Sequence, residues 1–201
     1  TLFRSNTQHG FQTVKFCITN LLEFYDKILS WLNDAGDQVD ITYFDIRKAF
    51  DLVSHYILLH KLHKVGIRDK LLRWIAAWLI GRRQRVVIKG FASKWVPVSS
   101  GVPQGSVLAP LLFLIFINDM GADIIGSIFS SFADDTKMAR RICKSEDSSD
   151  FQNDIDSLSK WANENKMKFN LDKTKIMHLG RNNPLVQYNL NEIQINNAAK
   201  K

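Results

Sequence analysis

The sequence predicts an α+β fold, and three observations carry that prediction. Apolar residues recur at helical spacing from Val14 to Leu32 and again through Phe151, Ile155, Leu158, Trp161 and Ala162. Val39, Ile41 and Tyr43 alternate with polar neighbours before Phe44 and Asp45, as in a strand that ends by presenting a carboxylate. In "SIFSSFADDTKMA" two short apolar runs flank Asp134 and Asp135, the pattern of a hairpin with the doublet at its bend.

The chain has 201 residues, 45% hydrophobic and 13 of them Phe, enough for one sizeable core with room for a smaller lobe. With that content, disorder is not the default reading. A net charge of +7 favours a polyanionic partner such as nucleic acid or an anionic surface. Cys17 and Cys143 are too few for a disulfide framework or a Cys-rich zinc site, so a reducing, intracellular setting is expected. The longest apolar run, "VLAPLLFLIFI", falls short of the roughly 20 residues a membrane-spanning helix needs, so no membrane partner is expected. The chain begins at Thr1 without an initiator Met or a targeting signal and reads as a fragment of something longer.

The elements follow in order. A long amphipathic helix from Val14 meets a stop at Gly36, and the strand ending at Asp45 comes next. Helices are expected through "HYILLHKLHKVG" and "DKLLRWIAAWLIG", each closed by glycine. A hairpin fits "RQRVVIKGFASKWVPV" with Lys89 and Gly90 at its turn. The turn-forming "SSGVPQGS" leads into an apolar helix that tolerates Pro110 in its first turns. After the Asp hairpin and the helix of 151–162, "MKFN", "KIMHLG", "VQYNL" and "EIQI" read as strands.

Clustered carboxylates are unfavourable unless a cation neutralises them, so Asp45 and Asp134, if their strands are neighbours, suit Mg²⁺. Two such ions about 3.5 to 4 Å apart would stabilise the attacking and leaving oxygens of an in-line phosphoryl transfer. Taken alone, the doublet reads more readily as an exposed turn, since Asp is favoured in turns for local reasons. Arg82, Arg83, Arg85 and Lys89, interleaved with Trp74 and Trp78, fit either a phosphate-following face or an ordinary solvated one. His60 and His63 lack a partner at zinc-site spacing.

Three motifs in order, "YFDIRKAFD" at 43–51, "SSGVPQGSVLAPLLFLIFIND" at 99–119 and "FADDTK" at 132–137, resemble those of the reverse transcriptases of non-LTR retrotransposons, in particular the chicken-repeat and jockey-like groups. "QHGF", "NLLEFYDK", "LLRWIAAWLIGRRQRVVIKG" and "KFNLDKTKIMHLGR" extend the resemblance to nearly the whole chain. It implies a right-hand polymerase fold: fingers helices leading into an antiparallel palm sheet backed by helices. The expected division is a fingers-side helix region at 1–37, a palm with an inserted fingers segment at 38–180, and the start of the palm–thumb connection at 181–201. The thumb and an upstream endonuclease would lie outside these 201 residues.

The resemblance also implies roles. Asp45 and Asp134 would be metal ligands and catalytic, with Asp135 in support and Lys173 as a general acid near the pyrophosphate leaving group. Ile46, Phe50, Gln104 and Gly105 would contact the nucleotide, Phe50 lying under the sugar where a 2′-OH would clash. Gly101, Pro103 and Ser106 would contact the template, glycine permitting close backbone approach. The implied cofactor is a pair of Mg²⁺ ions, with Mn²⁺ as an alternative, and the implied partners are an RNA template, a DNA primer and deoxynucleoside triphosphates. Nucleus and cytoplasm are the implied locations. Two departures stand out: Gln12 where the family has arginine, and Ala109 where glycine is usual. Two rival readings remain: a fragment that only binds nucleic acid, and another palm-type phosphoryl enzyme such as a nucleotide cyclase, which has no reason to carry "GVPQGS".

Overall fold

A computed structural model describes residues 16–34 and 37–198, so "QHGF", Gln12 and Gly36 lie outside the described residues. In chain order the elements are α1 (Cys17–Asp34), β1 (Gln38–Phe44), α2 (His55–Lys64), α3 (Asp69–Leu79), β2 (Arg83–Gln84), β3 (Val87–Ile88), β4 (Phe91–Ala92), β5 (Val96–Pro97), α4 (Leu108–Ile117), β6 (Ile128–Phe132), β7 (Asp135–Ile142), α5 (Ser145–Glu164), β8 (Lys175–Leu179), β9 (Asn189–Leu190), β10 (Ile193–Gln194) and β11 (Asn196–Asn197). The described residues divide into two compact units, with Lys48–Ile117 inserted in sequence between the two stretches of the other, the first ending at Arg47 and the second beginning at Asn118.

In the larger unit five strands form one sheet in the order β11-β8-β1-β7-β6. Its β1–β7, β1–β8 and β6–β7 pairs are antiparallel. The edge pair β11–β8 is parallel, a departure from the all-antiparallel expectation. The connection between them contains the small β9–β10 hairpin, which returns the chain to the end where β8 begins.

Strand β1 is buried on both faces, which its alternation alone did not announce. On one face Val39 and Ile41 pack with Ala139 of β7 and with Phe24 and Ile28 of α1. The period of two then puts Asp40 on the other face, in register with His178 of β8 and Arg140 of β7. Asp40 is fully buried. It accepts hydrogen bonds from the Tyr188 hydroxyl at 2.6 Å and from His178 Nδ1 and Asn183 Nδ2 at 2.7 Å each. A carboxylate survives in a core only when so satisfied. Burial first, then the bond to Asp40, pushes the Tyr188 phenol above its ordinary value.

Arg140 ties this face to α5, reaching Asp154 at 3.1 Å and Asp150 at 2.6 Å. Phe151, Ile155, Leu158 and Ala162 turn the apolar side of α5 inward. At its start the Asp147 carboxylate accepts the backbone N–H groups of Cys143 and Lys144, each at 2.8 Å. That contact satisfies amides that the helix leaves unpaired. "MKFN" is not a strand: after the turn at Lys166 (φ 57°) it makes a single bridge, Phe169 to Ile46.

In the smaller unit α2 packs against α3 and α4. Helix α4 is almost wholly apolar, and seven of its ten residues are buried. The hairpin expected at 83–98 forms, with Arg83 opposite Pro97, Gln84 opposite Val96, Val87 opposite Ala92 and Ile88 opposite Phe91. Lys89 (φ 48°) and Gly90 (φ 87°) make its turn, and two positive φ values are what a tight turn of matching twist requires. Cys17 and Cys143 are both free thiols.

Tyr188→Phe removes one donor from the buried Asp40 and is expected to cost about 1–3 kcal/mol of stability. Urea unfolding of the variant with an unchanged midpoint would show that Asp40 does not depend on this bond.

Candidate active site

Three segments of the larger unit meet at one end of its sheet. Asp45 follows the last residue of β1 directly. Because β1 and β7 are antiparallel with Phe44 opposite Thr136, the β6–β7 turn falls at that same end. The loop before β8 joins them: Asn170 N donates to the Asp45 carbonyl at 2.7 Å, and Lys173 Nζ stands 3.5 Å from Asp45 Oδ1.

The doublet is split, not shared across the bend as expected. Asp135 is the first residue of β7 and pairs with Phe132, so the turn consists of Ala133 and Asp134. Ala133 adopts φ 55°, an uncommon conformation for a non-glycine residue. Asp134 is half-buried and Asp135 is exposed. Burial pushes the Asp134 carboxyl upward, the charges of Asp135 and Asp45 add to that rise, and Asp134's own backbone hydrogen bond and Lys173 oppose it. Asp134 thus feels both other carboxylates.

That arrangement answers whether the residues fit a divalent cation. Among the described residues no group of three or more His, Cys, Asp or Glu side chains converges as a ready-made cage. Two partly exposed carboxylates in mutual repulsion are nevertheless the donor set of a hard ion that takes one or two carboxylates and completes its shell with substrate phosphates.

Lys137 is a site neighbour that the motif reading passed over. Its side chain is buried, with Nζ 4.7 Å above the Phe24 ring and 3.5 Å from the Asn20 carbonyl oxygen. Burial lowers its pKa, against the pull of nearby negative groups that include Asp135. Asn20 Nδ2 in turn donates to Ser130 Oγ at 2.7 Å, tying α1 to β6. A lysine at the second position after a doublet carries no signal of burial; only the parity of β7 against α1 reveals it.

The smaller unit holds the "GVPQGS" loop. Gly101 has φ 87°, and a Cβ there would lie 2.9 Å from the Asp51 carbonyl oxygen. Its close approach is therefore to its own chain, where Gly101 N donates to Val53 O at 2.8 Å and Val102 N to Phe50 O at 3.0 Å. Gly105, also at positive φ (82°), has open space around it. The Gln104 amide donates to Asp51 Oδ1 at 2.9 Å. Ser106 Oγ donates to Pro103 O at 2.7 Å and accepts Ala109 N at 3.2 Å, closing the turn into α4. Phe50 is partly buried and stacks on Phe113 with centroids 4.5 Å apart. Arg82 does not run free along a basic face, since its guanidinium donates to Leu79 O at 3.0 Å and to Gly101 O at 2.8 Å. A cavity of about 650 Å³ opens beside this loop, lined by Lys48, Asp51, Arg82, Gln84, Ser100 and Gln104 among others. In the larger unit the Ile46 side chain is buried.

Solved structures of telomerase superpose on the chain: that from Candida albicans in complex with a telomeric RNA fragment with a TM-score of 0.66 at 14% identity, covering 96% of this chain and 35% of that one. Apo telomerase from Candida tropicalis gives 0.64 at 12% identity, covering 94% and 39%. The fold is thus the fingers–palm fold of a polymerase. A family model described as reverse transcriptase (RNA-dependent DNA polymerase) matches residues 4–196, and the chain belongs to that family.

The kinship with non-LTR retrotransposon enzymes expected from the motifs is borne out. The RNA-directed DNA polymerase from mobile element jockey of Drosophila melanogaster is 31% identical over 65% of this chain and 15% of that protein. A probable RNA-directed DNA polymerase from transposon X-element of the same species is 30% identical over 83% and 19%. The Pol polyprotein of the type-1 retrotransposable element R2 of Popillia japonica is 31% identical over 50% and 16%. The chain thus spans less than a fifth of the curated relatives it matches. Reverse transcriptases generally use divalent metal ions.

In EDTA at pH 7, Asp134→Asn is expected to raise the melting temperature, because it removes a half-buried charge that Asp135 and Asp45 repel. The folded carboxyl titrates above its unfolded value, so the gain shrinks as pH falls and Asp134 becomes neutral. A melting temperature unchanged or lowered at pH 7 would contradict this reading of the cluster. Gly101→Ala, strained at positive φ and clashing with backbone, is expected to lose on the order of 1–3 kcal/mol; equal denaturation midpoints would overturn it.

Proposed function

We propose that this chain is the catalytic part of an RNA-directed DNA polymerase of a non-LTR retrotransposon, adding deoxynucleotides to a primer 3′-OH along an RNA template. The observation that carries the proposal is the meeting of Asp45, Asp134 and Lys173 at one end of the sheet in a member of the reverse transcriptase family. On this reading 1–37 is the fingers-side helix region, 38–180 the palm with the inserted unit as its fingers segment, and 181–201 the start of the palm–thumb connection.

In this mechanism Asp45 and Asp134 would hold two Mg²⁺ ions, or Mn²⁺ in their place. When bound, such ions lower the pKa of the primer hydroxyl and neutralise charge on the phosphates. Asp135, exposed beside them, supports the field that draws the cations in. Lys173 Nζ, 3.5 Å from Asp45 Oδ1, would give a proton to the departing pyrophosphate oxygen. Ile46, Phe50, Gln104 and Gly105 position the nucleotide, Ile46 through its backbone because its side chain is buried. Gly101, Pro103 and Ser106 position the template. Expected partners are an RNA template, a DNA primer and deoxynucleoside triphosphates, met in nucleus or cytoplasm. Among the described residues no helix is long and apolar enough to cross a membrane.

Primer extension on an RNA template, with this chain and with one lengthened at both ends, tests the proposal. Asp45→Ala and Asp134→Ala should each lower nucleotide addition by about a hundredfold or more, the scale of losing one electrostatic stabiliser of the transition state. Should the lengthened protein bind RNA but add no nucleotide, the chain is a binding fragment and the proposal fails. Lys173→Ala should slow addition while leaving RNA binding unchanged. A rate of addition equal to the parent's would show that Lys173 is not the proton donor.

A further inference from the structure

We infer that the hairpin of residues 83–98 is a binding arm for single-stranded nucleic acid, with Arg83, Arg85, Lys89 and Lys94 on its phosphates and Phe91 and Trp95 stacked on its bases. The charge distribution is the first support. Between Asp69 and Asp119 the chain carries seven basic residues and no acidic one, while the other 20 basic residues balance all 20 acidic ones. The entire net charge of +7 therefore belongs to this one stretch.

Exposure is the second. Every residue from 83 to 97 is exposed, so both faces of the hairpin present side chains to solvent. A two-stranded hairpin alone is marginal in water, yet this one presents Val86, Val87, Ile88, Phe91 and Trp95, with Phe91 83% exposed. The Arg85 guanidinium lies 4.6 Å from the centre of the Trp95 ring, a cation and a flat apolar face offered side by side. On α3 of the same unit, Trp74 and Trp78 stack in parallel, and Trp74 is half exposed.

These features select the occupant. A second copy would bring the same uncompensated positive charge against this face, and a protein partner of mixed charge would leave most of it unanswered. A duplex keeps its base faces stacked inside, whereas a single strand offers both phosphates and unpaired faces to rings and guanidinium groups. Arg82, held by Leu79 and Gly101, is excluded from the arm. None of the carboxylate-site residues takes part, so the inference stands apart from the polymerase reading.

The test is fluorescence anisotropy of this chain with labelled 20-nucleotide oligo(dT) and oligo(U), each compared with the matching duplex, across a salt series. Phe91→Ala with Trp95→Ala should weaken single-strand binding by about tenfold or more and leave the salt slope unchanged. Arg83→Gln, Arg85→Gln and Lys89→Gln together should reduce the slope of log affinity against log salt by about 2. Trp95→Phe should retain most of the affinity, and thermal melts of all variants should match the parent because these side chains are exposed. Equal affinity for duplex, unchanged binding by both sets, or a dimer that the aromatic variant dissolves would each overturn the inference. Binding without primer extension would sink the polymerase reading alone; extension with binding indifferent to these variants would sink this one alone.

Discussion

One strand, β1, has a strand on each edge and apolar or hydrogen-bonded layers on both faces, and the larger unit depends on that enclosure. Val39 and Ile41 are committed to α1. Asp40 is committed to Tyr188, His178 and Asn183. A slip of one residue would exchange the two sets, placing a carboxylate among Phe24 and Ile28. Register is thereby fixed, and with it the place where the strand stops. Asp45 is the first residue past that point, so its position is inherited from the packing behind it.

The same constraint explains what was legible in the sequence. The helices through 17–34, 55–64, 69–79 and 145–164 announced themselves by apolar spacing, and the hairpin at 83–98 by a Lys-Gly turn between apolar runs. The meeting of Asp45 with the doublet and Lys173 was legible only through motif order, since spacing says nothing of which strands are neighbours. Asp40 gave no warning of its burial, because an alternating strand reads as solvated on its polar side. Lys137 was hidden for the same reason. The unpaired look of "MKFN" as a strand came from its composition, which a positive φ at Lys166 overrides.

The "GVPQGS" loop separates two demands that glycine can answer. At Gly101 the demand is steric and internal, with backbone at Asp51 where a side chain would go. At Gly105 it is conformational, with space left around it. His55, Arg82 and Asp51 then brace the loop through Gly101 O and the Gln104 amide. Much of what a motif preserves is thus the shape of the loop, and only the exposed remainder faces outward.

The insertion of Lys48–Ile117 has a kinetic side. Strand β1 emerges early in the chain, yet its sheet partners β7 and β8 follow only after the whole inserted unit. Pairings so distant in sequence pay their loop-closure entropy before any contact rewards them, which makes such sheets slow to form. An insert with its own packed helices shortens the effective loop once it is folded. During synthesis, then, the strand that ends at Asp45 waits for partners made much later, and the carboxylates can come together only once β7 has been made.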